Sequence, residues 1–127
     1  MGESLSKIPV RIKLEKIGEA EGDFVRIYAP LTVDRLLRML PIEGRVHPLT
    51  GGFSLIVGIK RGEEKSVRKV EAGTIAYWPM GDALCLFYGD AAPYSPVNRA
   101  GRITKGLELV RNLSSGSRIR IERLTSG

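Results

Sequence analysis

The sequence predicts a mainly β fold, a barrel or a sandwich flanked by two short helices. Three observations predict it: apolar residues alternate with polar ones in short segments along most of the chain, only two stretches carry helical spacing, and those two lie far apart. A parallel βαβ sheet would interleave its helices more regularly. A helical bundle would leave no place for so many alternating segments.

Ile8, Val10, Ile12 and Leu14 alternate with polar residues or proline, the pattern of a half-buried strand, and Pro9 stands near its start, where a missing N–H is tolerated. The acidic segment from Gly18 to Gly22 is read as a turn, and Phe24 to Tyr28 as the returning strand of a hairpin. Pro30 breaks that strand and Thr32 is the candidate cap of a helix whose apolar face is Val33, Leu36, Leu37 and Leu40, ended by Pro41 and Gly44. Residues 45–52 are read as irregular. Phe53, Leu55 and Val57 alternate along the next strand, 61–65 is a charged turn, and 66–70 a short strand. Gly73 to Pro79 and Ala83 to Tyr88 are two strands joined through Pro-Met-Gly-Asp. A loop of small residues and prolines, Asp90 to Pro96, precedes an extended Val97 to Ile103. Ile103, Leu107, Val110 and Leu113 predict a second amphipathic helix capped by Thr104 and ended at Ser114-Ser115-Gly116. Ile119 and Ile121 alternate along a last strand.

At 127 residues the chain has the length of one domain, read as residues 1–127 with an ordered core of about 8–124. No apolar run reaches the roughly 20 residues that span a bilayer. The opening Met1 to Lys7 is polar, unlike a signal peptide, so the expected location is the cytoplasm. The single cysteine, Cys85, excludes an internal disulfide and lies in an apolar run, as a core thiol does. With one Cys and one His, no zinc site is expected, and no cofactor either. The formal charge of +6 favours acidic partners, but the lysines and arginines are spread along the chain rather than massed in one tract.

Three stretches together resemble the cyclophilin superfamily. Ala29-Pro30-Leu31-Thr32-Val33-Asp34 is similar to the approach to its first helix. Gly73-Thr74-Ile75-Ala76 with Leu86-Phe87-Tyr88 resembles its central strand pair, and Gly101-Arg102-Ile103-Thr104-Lys105-Gly106 the lead into its second helix. The segment Tyr77-Trp78-Pro79-Met80-Gly81-Asp82, with Ser95-Pro96-Val97-Asn98 and Gly101, is closer still to a small prokaryotic cyclophilin-like family of archaea and some bacteria. The resemblance runs from the first strand to the last. It implies a closed, eight-stranded antiparallel barrel capped by two helices, with a ligand groove on the outer barrel face.

It also implies a proline-containing peptide or a small ligand as partner, and peptidyl-prolyl cis–trans isomerisation as the reaction to test for. That reaction twists an amide whose barrier is about 18–20 kcal/mol. Its site needs an apolar pocket for the ring and a donor, usually a guanidinium, for the prolyl nitrogen as resonance is lost. Cyclophilins place that arginine a few residues before a Gly-Phe pair. Here the pair is Gly52-Phe53, the matching place falls near Pro48, and Arg45 is the nearest candidate donor. The late-loop histidine of cyclophilins is replaced by Val97 or Asn98, and their glutamine is not matched at residues 84–86. The candidate ligand-binding residues are therefore His47, Phe53, Tyr77, Trp78, Phe87, Tyr88 and Asn98. Each also has a plainer reading: core packing for the aromatics, of which adjacent strand residues face opposite sides, a polar loop residue for His47, and a backbone tie for Asn98.

Two other readings stand beside this one. A small basic barrel binding nucleic acid would use Arg118, Arg120 and Arg123, the first two on one strand face. A non-catalytic interaction module would use the barrel only as a scaffold.

Overall fold

The computed structural model describes residues 6–124; of the polar opening segment Met1 to Lys7, residues 1–5 lie outside them. Nine strands form one antiparallel sheet: β1 (Lys7–Leu14), β2 (Gly18–Val25), β3 (Ile42–Arg45), β4 (His47–Leu49), β5 (Gly52–Ile56), β6 (Thr74–Trp78), β7 (Ala83–Phe87), β8 (Asn98–Lys105) and β9 (Arg118–Arg123). The spatial order is β3-β9-β1-β2-β8-β6-β7-β5-β4. Only Val46 separates β3 from β4, so one extended segment pairs with β9 at one edge of the sheet and with β5 at the other. That segment nearly closes the barrel. Counted as one bent strand, it makes the eight strands that the resemblance implies. Closure leaves few unpaired edge groups to recruit another chain.

The interior is apolar because alternate residues of every strand point inward. Val10 and Ile12 from β1, Phe24 from β2, Tyr77 from β6 and Leu84 and Leu86 from β7 are all buried. Two helices join the same core. Helix α1 (Pro30–Met39) contributes Val33, Leu36 and Leu37, and the single turn α2 (Leu107–Val110) contributes Val110. No helix among the described residues is long and apolar enough to cross a membrane.

Several boundaries differ from the sequence reading. The first hairpin turns at 15–17, with Lys16 in the left-handed region and Ile17 N–H donating to the Leu14 carbonyl, and Gly18 to Gly22 is strand rather than turn. The inward residues there, Ala20 and Gly22, are small because the barrel wall is tight: a Cβ on Gly22 would lie 2.6 Å from the Arg102 carbonyl oxygen. Small inward residues hide the alternation. Beyond Val25 the chain is a 3-10 turn, 26–28, and not strand. Pro30 lies in the first turn of α1, where its missing N–H costs nothing. Thr32 is inside the helix and does not cap it. Residues 45–52, expected to be irregular, hold the end of β3 and all of β4; Pro48 and the glycines obscured them. Residues 66–70 form no strand, only the isolated bridges Val67–Val97 and Val70–Ala91. Thr104 is an exposed residue of β8, and Gly106, at φ 85°, starts α2 instead.

Candidate functional site

Side chains that point outward from β6 and β7 meet no second sheet. Ala76, Cys85 and Phe87 pack instead with Val70 and Val97 from the long loops over the barrel face, forming a second, smaller apolar cluster. The loops are stitched to each other by Val67 N–H to the Val97 carbonyl, 2.8 Å, and Val70 N–H to the Ala91 carbonyl, 2.9 Å. Beside this cluster the covering is incomplete. A cavity of about 200 Å³ opens there, floored by Trp78, Cys85 and Phe87, with Leu49 and Thr50 from the β4–β5 hairpin on one side and Pro93, Tyr94 and Val97 on the other. Tyr94 is 88% exposed at its mouth.

Trp78 is held in place. Its indole Nε1 donates to Ser95 Oγ at 2.6 Å. Its ring lies against Gly81, where an added Cβ would stand 2.4 Å from the ring. Cys85 is buried, and burial pushes its thiol up to about 12, so it stays a neutral apolar surface near neutral pH and not a nucleophile. The described residues contain no group of His, Cys, Asp and Glu able to hold a metal ion.

Of the residues singled out in the sequence, Trp78 and Phe87 line this cavity. The others lie elsewhere. Tyr88 follows Phe87 and so faces the other way, packing in a tilted contact against Phe53 at a centroid distance of 5.9 Å, under Arg111. Phe53 is core. Tyr77 is core too; its hydroxyl donates to Asp82 Oδ1 at 2.6 Å and accepts from Arg61 N–H. Burial, then the Asp82 hydrogen bond, raises its phenol to about 12. His47 is exposed on β4. Arg45 is exposed, and its guanidinium donates to the Gly116 carbonyl at 3.0 Å, away from the cavity.

Asn98 takes up the backbone-tie reading. Its Oδ1 accepts from Glu64 N–H at 2.8 Å, and its Nδ2 donates to the Gly62 carbonyl and to Thr32 Oγ1. Glu64 in turn accepts from Leu31 N–H, Thr32 N–H and the Thr32 hydroxyl. A glutamate remote in sequence thus caps α1, which has no capping side chain of its own. Burial alone would raise the Glu64 carboxyl, but the donors from Leu31 and Thr32, with the charge of Arg61, outweigh it and hold the group below the ordinary value. Sequence reading missed Cys85 as cavity floor, Gly81 and Ser95 as supports of Trp78, and Tyr94 at the mouth. Only the Trp-Pro-Met-Gly spacing carried a signal for one of them.

The comparisons with known proteins agree with this architecture. Residues 8–122 match the family described as Cyclophilin-like. A hypothetical protein of Archaeoglobus fulgidus, known from a solution structure, is 31% identical, with 98% of this chain and 100% of that one covered and a TM-score of 0.80. McbB, solved in complex with tryptophan, shares the fold at 16% identity and a TM-score of 0.75, over 93% of this chain and 45% of its own. No curated protein matches. With the family match spanning the barrel from its first strand to its last, the chain belongs to the Cyclophilin-like family.

Proposed function

We propose that this protein binds an apolar ring, the prolyl residue of an extended peptide or a small ring-bearing ligand, in the Trp78–Phe87 cavity, and that it does so without isomerising prolyl bonds. The observation that carries the reading is the lining: a ring-sized apolar recess on the outer barrel face, with an orientation-locked indole on its floor and no cationic side chain among the residues that line it. An apolar recess with few polar groups holds a ring by burial and shape. Catalysis would need a donor aimed at the twisting amide nitrogen. Arg45, the nearest candidate in sequence, does not line the recess and donates to the Gly116 carbonyl. McbB, which shares the fold over the matched part, is solved in complex with tryptophan, a ring-bearing ligand.

Of the three arginines behind the nucleic-acid reading, Arg120 is matched by carboxylates: it pairs with Glu43 and Glu122, and Lys13 and Arg11 reach Glu122 as well.

The test is a titration of nitrogen-15-labelled protein with Ala-X-Pro peptides and with free aromatic amino acids. Shifts confined to Trp78, Phe87 and the 93–97 loop are expected. Shifts spread over β9 instead would remove the reading.

A further inference from the structure

A second recess lies on the outer face of β8, and its chemistry is the opposite of the first. It encloses about 210 Å³ and is lined by Tyr28, Lys69, Glu71, Thr74, Arg99 and Arg102 among others. Residues three apart on a regular strand point to opposite faces. Arg99 and Arg102 share this recess because β8 is irregular between them: Ile75 pairs with Gly101 but Ala76 pairs with Arg99, so Ala100 is one residue too many. Such a bulge re-aims side chains. The burial pattern records it, since Ala100 and Gly101 are both buried while Arg99 is exposed and Arg102 half-buried.

Both guanidiniums are positioned by contacts that leave donors free. Arg99 lies over the Tyr28 ring, 4.8 Å from its centroid, and makes no hydrogen bond or ion pair among the described residues. The Arg102 guanidinium donates one N–H to the Ala72 carbonyl at 3.2 Å, its single hydrogen bond among those residues. Lys69 is likewise unpaired there. Three cationic side chains against the one carboxylate of Glu71 give the lining a net charge of +2.

We infer that this recess is an anion site for a compact phosphate monoester. Guanidinium forks match phosphate oxygens, and a doubly charged monoester balances the lining, whereas a carboxylate or a phosphodiester leaves one positive charge unmatched. The site is separate from the apolar cavity: the two linings share no residue.

The experiment titrates the labelled full chain with inorganic phosphate and with glycerol phosphate, at ionic strength held constant with chloride. The expected result is saturable shifts of residues 70–74 and 99–102, about tenfold weaker binding in Arg99→Gln and in Lys69→Ala, and no change in Arg118→Gln, which removes the same charge from β9. Two variants guard against one of them failing to fold, and a dispersed spectrum of each establishes that it has. Shifts that do not saturate, that chloride or acetate reproduces, or that survive both recess variants would overturn the proposal. So would tighter binding of a single-stranded oligonucleotide than of the monoester, which would make the recess part of a nucleic-acid surface.

Discussion

Trp78 is gripped from two sides, by the Ser95 hydroxyl on its indole nitrogen and by the bare backbone of Gly81 beneath its ring. Gly81 has no left-handed backbone to satisfy, so alanine there changes only the space. The added methyl must displace the indole. We expect Gly81→Ala to weaken ring binding about tenfold or more while lowering stability by no more than the roughly 1–3 kcal/mol typical of overpacking. Calorimetric titration alongside urea unfolding separates the two effects. Cys85 gives a chemical check on the same floor. Its thiol is buried and held neutral, so alkylation by iodoacetamide at neutral pH should proceed only on unfolding; rapid modification of the native chain would contradict the burial described.

At the scale of elements, the cluster Asn98–Glu64–Thr32 ties the loop 58–72 to the barrel and also caps α1. Asn98→Ala leaves the Glu64 N–H and the Gly62 carbonyl without their partner and should cost about 1–3 kcal/mol. Glu64→Gln should cost about 1 kcal/mol, the usual worth of a helix cap. The pH dependence follows from the lowered carboxyl. A depressed folded value means the contribution is complete above the ordinary 4.5 and is lost as pH falls below it through the folded value. The wild-type advantage over Glu64→Gln in unfolding experiments should therefore shrink in acid. Much of this scale was legible in sequence. β1, β5 and β9 announced themselves by alternation, and β6 and β7 as apolar runs on either side of the Pro-Met-Gly-Asp turn. The first half of β2 did not, because its inward residues are Ala20 and Gly22, and β4 did not, because Pro48 reads as a break. The bulge at Ala100 exists only relative to β6, so no single-strand pattern could reveal it.

For the whole molecule, barrel closure decides which residues can act together. It turns Phe53, Tyr77 and Tyr88 away from the outer face and leaves Trp78 and Phe87 on it, beside the 93–97 loop. The sequence offers all five aromatics as candidates, with only one of each adjacent pair able to line a groove, because alternation tells which residues share a face but not which face is inside. The same geometry leaves Arg45 at the β3–β9 edge, paired to a carbonyl, so the cavity can grip a ring but has no cation to assist its amide. Uncatalysed prolyl isomerisation takes tens to hundreds of seconds, too slow to give exchange cross-peaks. The most direct measurement is therefore exchange spectroscopy on an Ala-X-Pro peptide mixed with the labelled protein. The account predicts shifts at the Trp78 indole and Phe87 amide with no cis–trans cross-peaks. Cross-peaks in that sample, lost in Arg45→Ala, would contradict it.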